Sequence, residues 1–474
     1  MAIDAKPRME RQPGSGIDVL VAGAGLGGMF AAIELYRQGH NVRIIEAKPE
    51  IEGLGDFVGI APSATRQFKK WPGMAETYRN IIYRPSLALY KHDGELIGGP
   101  FSIKEGIDHI PTPVSRPKLI DSLFAYVCSL GIPIAFGKRI VDYYEDLSRK
   151  KAGAITDDGE HIEADLVIAA DGVGSMSWKS VSGESTKPKS SGFSVYRVAY
   201  PTKLAFEDTE VAKSFASLDY GDDICRVYLG HNTHGIVLVS KDTTTWFLTH
   251  KDQKRTAEEQ WSRGLDASDV LDTLERLDAG MKWDESYLGV IKQTPPKAVT
   301  DYKIMWRNPN PKWVSEGGLI LQLGDSAHSF LPTSANGATQ AMEDGISIAA
   351  CLKIAGREEI PLATRVHVAL RFERVACAQR SGFKNREKWH HTDFEEAKKN
   401  PEALVMQVGK WINMHDPEAY VYQNWDQCVD HIENGASFTN TNTPSGYEYK
   451  AWTIDELLNA SIEEKEIADP GDWS

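Results

Sequence analysis

The chain has 474 residues, room for two or three domains, and a formal net charge of -14, which argues against nucleic acid or an anionic membrane as partner of the whole surface. Its 41% hydrophobic and 25% charged residues are ordinary for a soluble globular enzyme. The five cysteines are scattered and form no CxxC pair, no apolar run reaches the roughly 18 residues of a membrane span, and the N-terminus has no signal-peptide core, so a cytoplasmic protein is expected.

Residues 1–16, polar and carrying Pro13, Gly14 and Gly16, predict a mobile tail. Residues 17–22, IDVLVA, predict a buried strand that breaks at Gly23. Gly25 and Gly28 complete GxGxxG, and residues 29–38 have helical spacing, with Met29, Ala32, Ile33 and Tyr36 on one face and Gly39 as the stop. A second strand, 42–45, ends at Glu46, about 20 residues beyond the glycines, which is the spacing of a dinucleotide site. Gly23 suits a tight turn, Gly25 a close approach to a pyrophosphate, and Gly28 close helix packing, while Glu46 would accept ribose hydroxyls. The motif by itself does not separate FAD from NAD.

Farther on, residues 83–100 alternate around Asp93-Gly94, and Ser115-Arg116-Pro117 has the form of a helix start. A strand pair at 152–156 and 161–164 flanks Asp157-Asp158-Gly159, and the apolar strand 166–169 stops at Asp171-Gly172. From about 183 to 300 the pattern changes to alternating segments, read as a mainly antiparallel sheet with one helix near 268–279. The dinucleotide pattern returns at 318–323, running into Gly324-Asp325, with a helix from about 337 to 354. The expected fold is therefore α/β, a Rossmann-like domain over 17–182 and 301–355. Inserted in it is a substrate domain, 183–300, with contributions from about 60–110. Residues 356–474 predict a helical C-terminal region and an acidic tail.

Three stretches now read together: GAGLGG with Glu46, DLVIAADGVGS at 165–175, and LQLGDSAHSFLPTSANGATQAMEDG at 321–345. They resemble the three fingerprints of the single-component FAD-dependent aromatic hydroxylases, a group that includes salicylate hydroxylase and many fungal secondary-metabolite monooxygenases. The resemblance implies FAD reduced by NADPH or NADH, capture of O2 as a flavin hydroperoxide, and hydroxylation of a phenolic or hydroxybenzoate-like ring, with or without loss of a carboxylate. Baeyer-Villiger chemistry, epoxidation, or a flavin-binding sensor without turnover are the alternatives. Flavin-dependent halogenation lacks its WxWxIP signature, and an NAD-dependent dehydrogenase leaves Gly324-Asp325 without a purpose. The implied partners are a small aromatic substrate, O2 and NAD(P)H, in a monomer or homodimer, and no metal is expected.

Residue by residue, the resemblance assigns Asp325 to the ribityl chain, Arg116 to the ribityl and phosphate groups, and Asp171 to the second fingerprint. Pro332, Gly337 and Ala338 would lie along the isoalloxazine. Arg197 matches an arginine that anchors a phenolate in some fungal members, with a salt bridge across the sheet as its other reading. Tyr228 and His231 are the remaining substrate-side candidates, and His231 and His234 read as rim or fold residues rather than bases. Two departures stand out: Trp178 replaces the usual arginine three places after Ser175, and Leu238 replaces a tyrosine.

Overall fold

The computed structural model describes residues 9–53, 55–102, 111–183, 188–216, 223–252, 261–277, 281–406, 408–463 and 470–473. Among these described residues the strands fall into four sheets. The first is parallel throughout, in the order Ile320–Gln322, Leu166–Ala169, Asp18–Ala22, Asn41–Ile45, Ile134–Ala135. Its central strands are continuous apolar runs because helices cover the parallel sheet, which leaves Val19 to Ala22 and Leu166 to Ala169 buried. The expected Rossmann-like α/β architecture is present, built from strands far apart in the chain.

Helix Leu26–Arg37 follows the central strand and packs against helices Gly337–Ala355 and Arg116–Ser129. Sequence spacing put Met29, Ala32, Ile33 and Tyr36 on its inner face; the first three are buried and Tyr36 half-buried, but Phe30, Ala31, Glu34 and Leu35 are buried as well. The reason is enclosure from two sides: a Cβ on Gly345 of helix Gly337–Ala355 would stand 2.8 Å from Ala31 Cα. Only glycine permits that crossing.

Part of the expected mobile tail is fixed. Gln12 N–H donates to Arg37 O at 2.8 Å, Ser15 N–H to Gly39 O at 3.0 Å, and the Arg11 guanidinium lies 4.3 Å from the Tyr36 ring centroid. Carbonyls at the end of the first helix need such partners, which is why residues 9–16 lie across it. Residues 1–8 are outside the described residues.

Eight strands form a second sheet, in the order Trp261–Leu265, Val299–Trp306, Lys189–Pro201, Thr243–Lys251, Thr233–Val239, Asp223–Gly230, Pro85–Lys91, Leu96–Ser102. Neighbours are antiparallel except Asp223–Gly230 with Pro85–Lys91, which run parallel. Residues 301–306, expected in the dinucleotide domain, belong to this sheet because Val299–Trp306 pairs with Lys189–Pro201. Alternation gives the sheet two functions. One face buries Tyr196, Val198, Tyr200, Tyr228, Val237, Val239, Trp246 and Leu248 with residues of helices Ala267–Leu277 and Glu285–Lys292. The opposite residues, among them Val195, Arg197, Cys225, Val227, Ile236, Phe247 and Thr249, line a cavity.

Helix Ile360–His390 backs this assembly, and residues 452–457 of the expected acidic tail pack against the rest. Trp452, Ile454 and Leu457 join Phe193, Trp306 and Phe383 in one buried cluster. No described helix is long and apolar enough to cross a membrane.

Burial makes the fold acid-sensitive. Desolvation lowers His40 to about 4, and His234 and His367 to about 3, from an ordinary 6.5. A base lowered in the folded state contributes stability that is whole above the unfolded value and is lost as pH falls through the folded one. Asp344 adds to this: burial alone would raise it, but His328 and Arg371 hold it at about 2, so its contribution is lost as pH falls from 3.8 toward that value. Denaturant titrations should therefore show unfolding free energy falling from pH 6.5 downward and continuing to fall toward about 2. A flat profile between pH 7 and 4 would contradict the histidine assignment.

Candidate active site

The cavity encloses about 760 Å3 and runs from the GxGxxG turn to the inner face of the eight-stranded sheet. At the first end, Gly23 has φ +104 and its amide donates to Ile45 O, while a Cβ there would meet Ala170 O at 2.4 Å. Gly28 does not line the cavity. Its place is structural, since a Cβ would fall 2.0 Å from Gly23 O. Gly25 has no atom within 4 Å of a built Cβ and is the N-cap of helix Leu26–Arg37 without a side-chain cap, so the helix start faces open space. Glu46 sits beside it, accepting Ala24 N–H at 2.8 Å and Lys48 N–H at 2.9 Å.

Farther along, Asp171 accepts the Tyr143 hydroxyl on Oδ2 at 2.7 Å, while its buried Oδ1 has no hydrogen-bond partner among the described residues. Burial raises its pKa. Asp325 is exposed, lines the cavity and makes no side-chain hydrogen bond among the described residues; desolvation raises its pKa, with His328 and Arg116 pulling the other way. Burial, then repulsion from Arg197, lowers Arg116. The single turn Pro332–Ser334 leads through Ala335, at φ +50, into helix Gly337–Ala355, whose N-cap Asn336 also gives no side-chain cap. Pro332, Gly337 and Ala338 all line the cavity. Two uncapped helix starts, an open glycine and carboxylates with spare acceptor capacity fit a dinucleotide such as FAD.

At the other end the wall is apolar, with Leu87, Leu89, Val227, Ile236, Leu238, Phe247, Trp389 and Met406 among its residues. Arg197 lies here, 5.2 Å from the Phe247 ring centroid, with Nε and Nη2 both on the Asp56 carboxylate. Burial works to lower this guanidinium, and Asp56 more than offsets it, so its pKa is raised. The salt bridge anticipated for Arg197 therefore exists, to the segment before strand Phe57–Ile60 rather than across the sheet.

Two expected substrate residues are elsewhere. Tyr228 is on the opposite face of its strand, with its hydroxyl 3.2 Å from Ser286 and its ring stacked 5.4 Å from Tyr90. Alternation decides this, since Cys225 and Val227 take the cavity side. His231 is exposed in the hairpin turn beside His391 and does not line the cavity. His234, read as a rim or fold residue, is buried in the wall. Trp178 is buried, with the Arg307 guanidinium 4.6 Å from its ring centroid. Sequence reading missed Asp56, Phe247, Thr249 and Trp389, which fall in no motif. Only the Gly-rich run 53–59 pointed near Asp56.

Comparison with known proteins agrees with this geometry. Residues 16–216 match the FAD binding domain family. The FAD-dependent monooxygenase fsr3 of Gibberella fujikuroi is 36% identical, covering 98% of this chain and 91% of that protein. The FAD-dependent monooxygenase dmxR9 of Cryptosporiopsis is 37% identical with the same coverage. Among solved structures, FqzB is 28% identical with TM-score 0.80, covering 92% of this chain and 100% of that one. CtdE in complex with FAD and a substrate is 27% identical with TM-score 0.79, covering 88% and 99%. The salicylate hydroxylase substrate complex, at 22% identity, TM-score 0.67 and coverage of 86% and 98%, shares the fold. Similarity to fsr3 and dmxR9 over nearly the whole chain, joined to a cavity built for a dinucleotide, means that this chain belongs to the FAD-dependent monooxygenases.

Proposed function

We propose that this protein uses NADPH or NADH and O2 to hydroxylate a phenolic or hydroxybenzoate-like aromatic ring. The observation that carries the reading is the continuity of the cavity, in which the dinucleotide cradle and the apolar sheet face share one space. An aromatic molecule lying on that face would meet the flavin ring without crossing bulk water. Bound FAD would supply the activation of oxygen.

The chain's own groups bind and orient. The helix starts at Leu26 and Gly337 each present unpaired N–H groups and partial positive charge, one toward the pyrophosphate and one toward the flavin ring beside Pro332 and Ala338. Glu46 and Asp325 would accept sugar and ribityl hydroxyls, and Arg116 and Asp171 line the same cavity. Arg197 keeps its Nη1 side for a substrate oxygen, while Asp56 neutralises its charge. A hydroxybenzoate carboxylate would compete with Asp56 for that guanidinium and lose its hydration in doing so. A phenol without a carboxylate is thus the favoured substrate, and hydroxylation without loss of carbon dioxide the favoured reaction.

A panel of phenols, naphthols and hydroxybenzoates tests this through stimulated NAD(P)H oxidation and product mass. Phenols or naphthols should gain the mass of one oxygen, and silence from the whole panel would count against the hydroxylase reading. Asp325→Ala should lose most of its FAD on gel filtration, since the ribityl hydroxyls would lose their acceptor inside the cavity. Full occupancy would remove Asp325 from the cofactor set. Arg197→Ala should keep its FAD but lower product per NAD(P)H on the order of a hundredfold, with electrons appearing as hydrogen peroxide, because the ring is no longer fixed. Arg197→Lys should recover little, as a point charge cannot serve Asp56 and a substrate oxygen together. Unchanged coupling would make Arg197 a structural ion pair only.

A further inference from the structure

Thr249 and His234 face one another across neighbouring antiparallel strands, and both line the apolar end of the cavity. Thr249 is two residues beyond Phe247, the register partner of Arg197, and so about 7 Å along the strand on the same face. Its Oγ1 is 3.1 Å from His234 Nε2, and His234 Nδ1 is 3.0 Å from His390 Nε2 on helix Ile360–His390. All three side chains are buried, with Trp389 packed edge-on against His234 and Phe193 against His390. Burial keeps both imidazoles uncharged, lowering His234 to about 3 and His390 well below its usual value.

A neutral imidazole has one donor and one acceptor nitrogen, so the two contacts of His234 are coupled. When His390 donates to His234 Nδ1, His234 Nε2 donates to Thr249 and the hydroxyl proton is free to turn into the chamber. With the tautomers reversed, Thr249 donates to His234 and offers its lone pairs instead. In both arrangements one neutral polar group stands in an apolar wall formed by Val195, Val227, Ile236, Phe247 and Trp389.

We propose that Thr249, set by His234 and His390, is a specificity-determining hydrogen-bond partner for an uncharged ring oxygen of the substrate, a phenolic hydroxyl or a carbonyl. This rests on reading the chamber as an aromatic-substrate site. A carboxylate at this point would exchange its hydration for a single neutral hydroxyl, which disfavours it. His234 and His390 act through Thr249 as positioning residues.

Equilibrium dialysis of the FAD-loaded protein against 2-naphthol and against naphthalene, the same ring without oxygen, isolates the contact. The wild type should prefer 2-naphthol. Thr249→Val should weaken 2-naphthol about three- to tenfold, the size of one hydrogen bond, leave naphthalene unchanged, and be rescued by Thr249→Ser. His390→Phe should also erode the preference, and His390→Gln, which can still bond His234 Nδ1, should keep it. Equal losses for both ligands in Thr249→Val, or no preference in the wild type, would overturn the proposal. Should the preference follow Thr249 while no member of the phenol panel stimulates NAD(P)H oxidation, the anchor stands and the hydroxylase reading falls.

Discussion

The structure depends on a buried ionic cluster between helices Gly337–Ala355 and Ile360–His390. Glu343 accepts Arg371, Arg374 and the Ser63 hydroxyl, and Asp344 accepts Arg371 and His328, with no member more than 3% exposed. Charges buried this deeply are tolerable when they are paired and hydrogen-bonded, and removing one partner typically costs about 3–5 kcal/mol. The arginines meet that demand by reaching beyond the carboxylates. Arg371 also donates to Gln340, and Arg374 donates to the carbonyls of Trp411, Ile412 and Asn442. One network therefore fixes the helix whose start faces the cavity and the C-terminal segments behind it.

That fixation matters because the cavity has no single owner in the sequence. Its cofactor end draws on the parallel sheet and its following turns, its opposite end on one face of the eight-stranded sheet, and part of its far wall on Trp389, Val405 and Met406. The Arg197–Asp56 pair joins these parts, with the acid before strand Phe57–Ile60 and the base in strand Lys189–Pro201. Asp56 offsets the charge of Arg197 and leaves the guanidinium as a directional polar group in the chamber. The neutral His234–His390 pair follows the same economy, since each imidazole satisfies the other without bringing an ion into the wall.

Close packing through missing side chains is the other recurring device. Gly28 against Gly23, Gly345 against Ala31, and Gly382 against Ser334 each bring backbone to distances at which a Cβ would collide. The first lies at the start of helix Leu26–Arg37, the second between that helix and helix Gly337–Ala355, and the third against the turn Pro332–Ser334. Precision at the cofactor end thus follows from where glycine is, as much as from which polar groups are present.

The sequence by itself determined what local rules and motif spacing can carry. GxGxxG with Glu46, the strand into Gly324-Asp325, and the alternating segments after 183 made the Rossmann-like fold and its inserted sheet legible, because turn chemistry and period act over a few residues. Tertiary structure alone decided which residues meet. Tyr228 and Arg226 alternate with Cys225 and Val227 along one strand, and only the packing of helices Ala267–Leu277 and Glu285–Lys292 on one side turns Tyr228 away from the chamber. Asp56 and Arg197 stand 141 positions apart, and His234 and His390 stand 156 apart. No periodicity encodes such pairs. Their partners are set by how sheets and helices stack, which is a property of the whole fold and leaves no local trace in the chain.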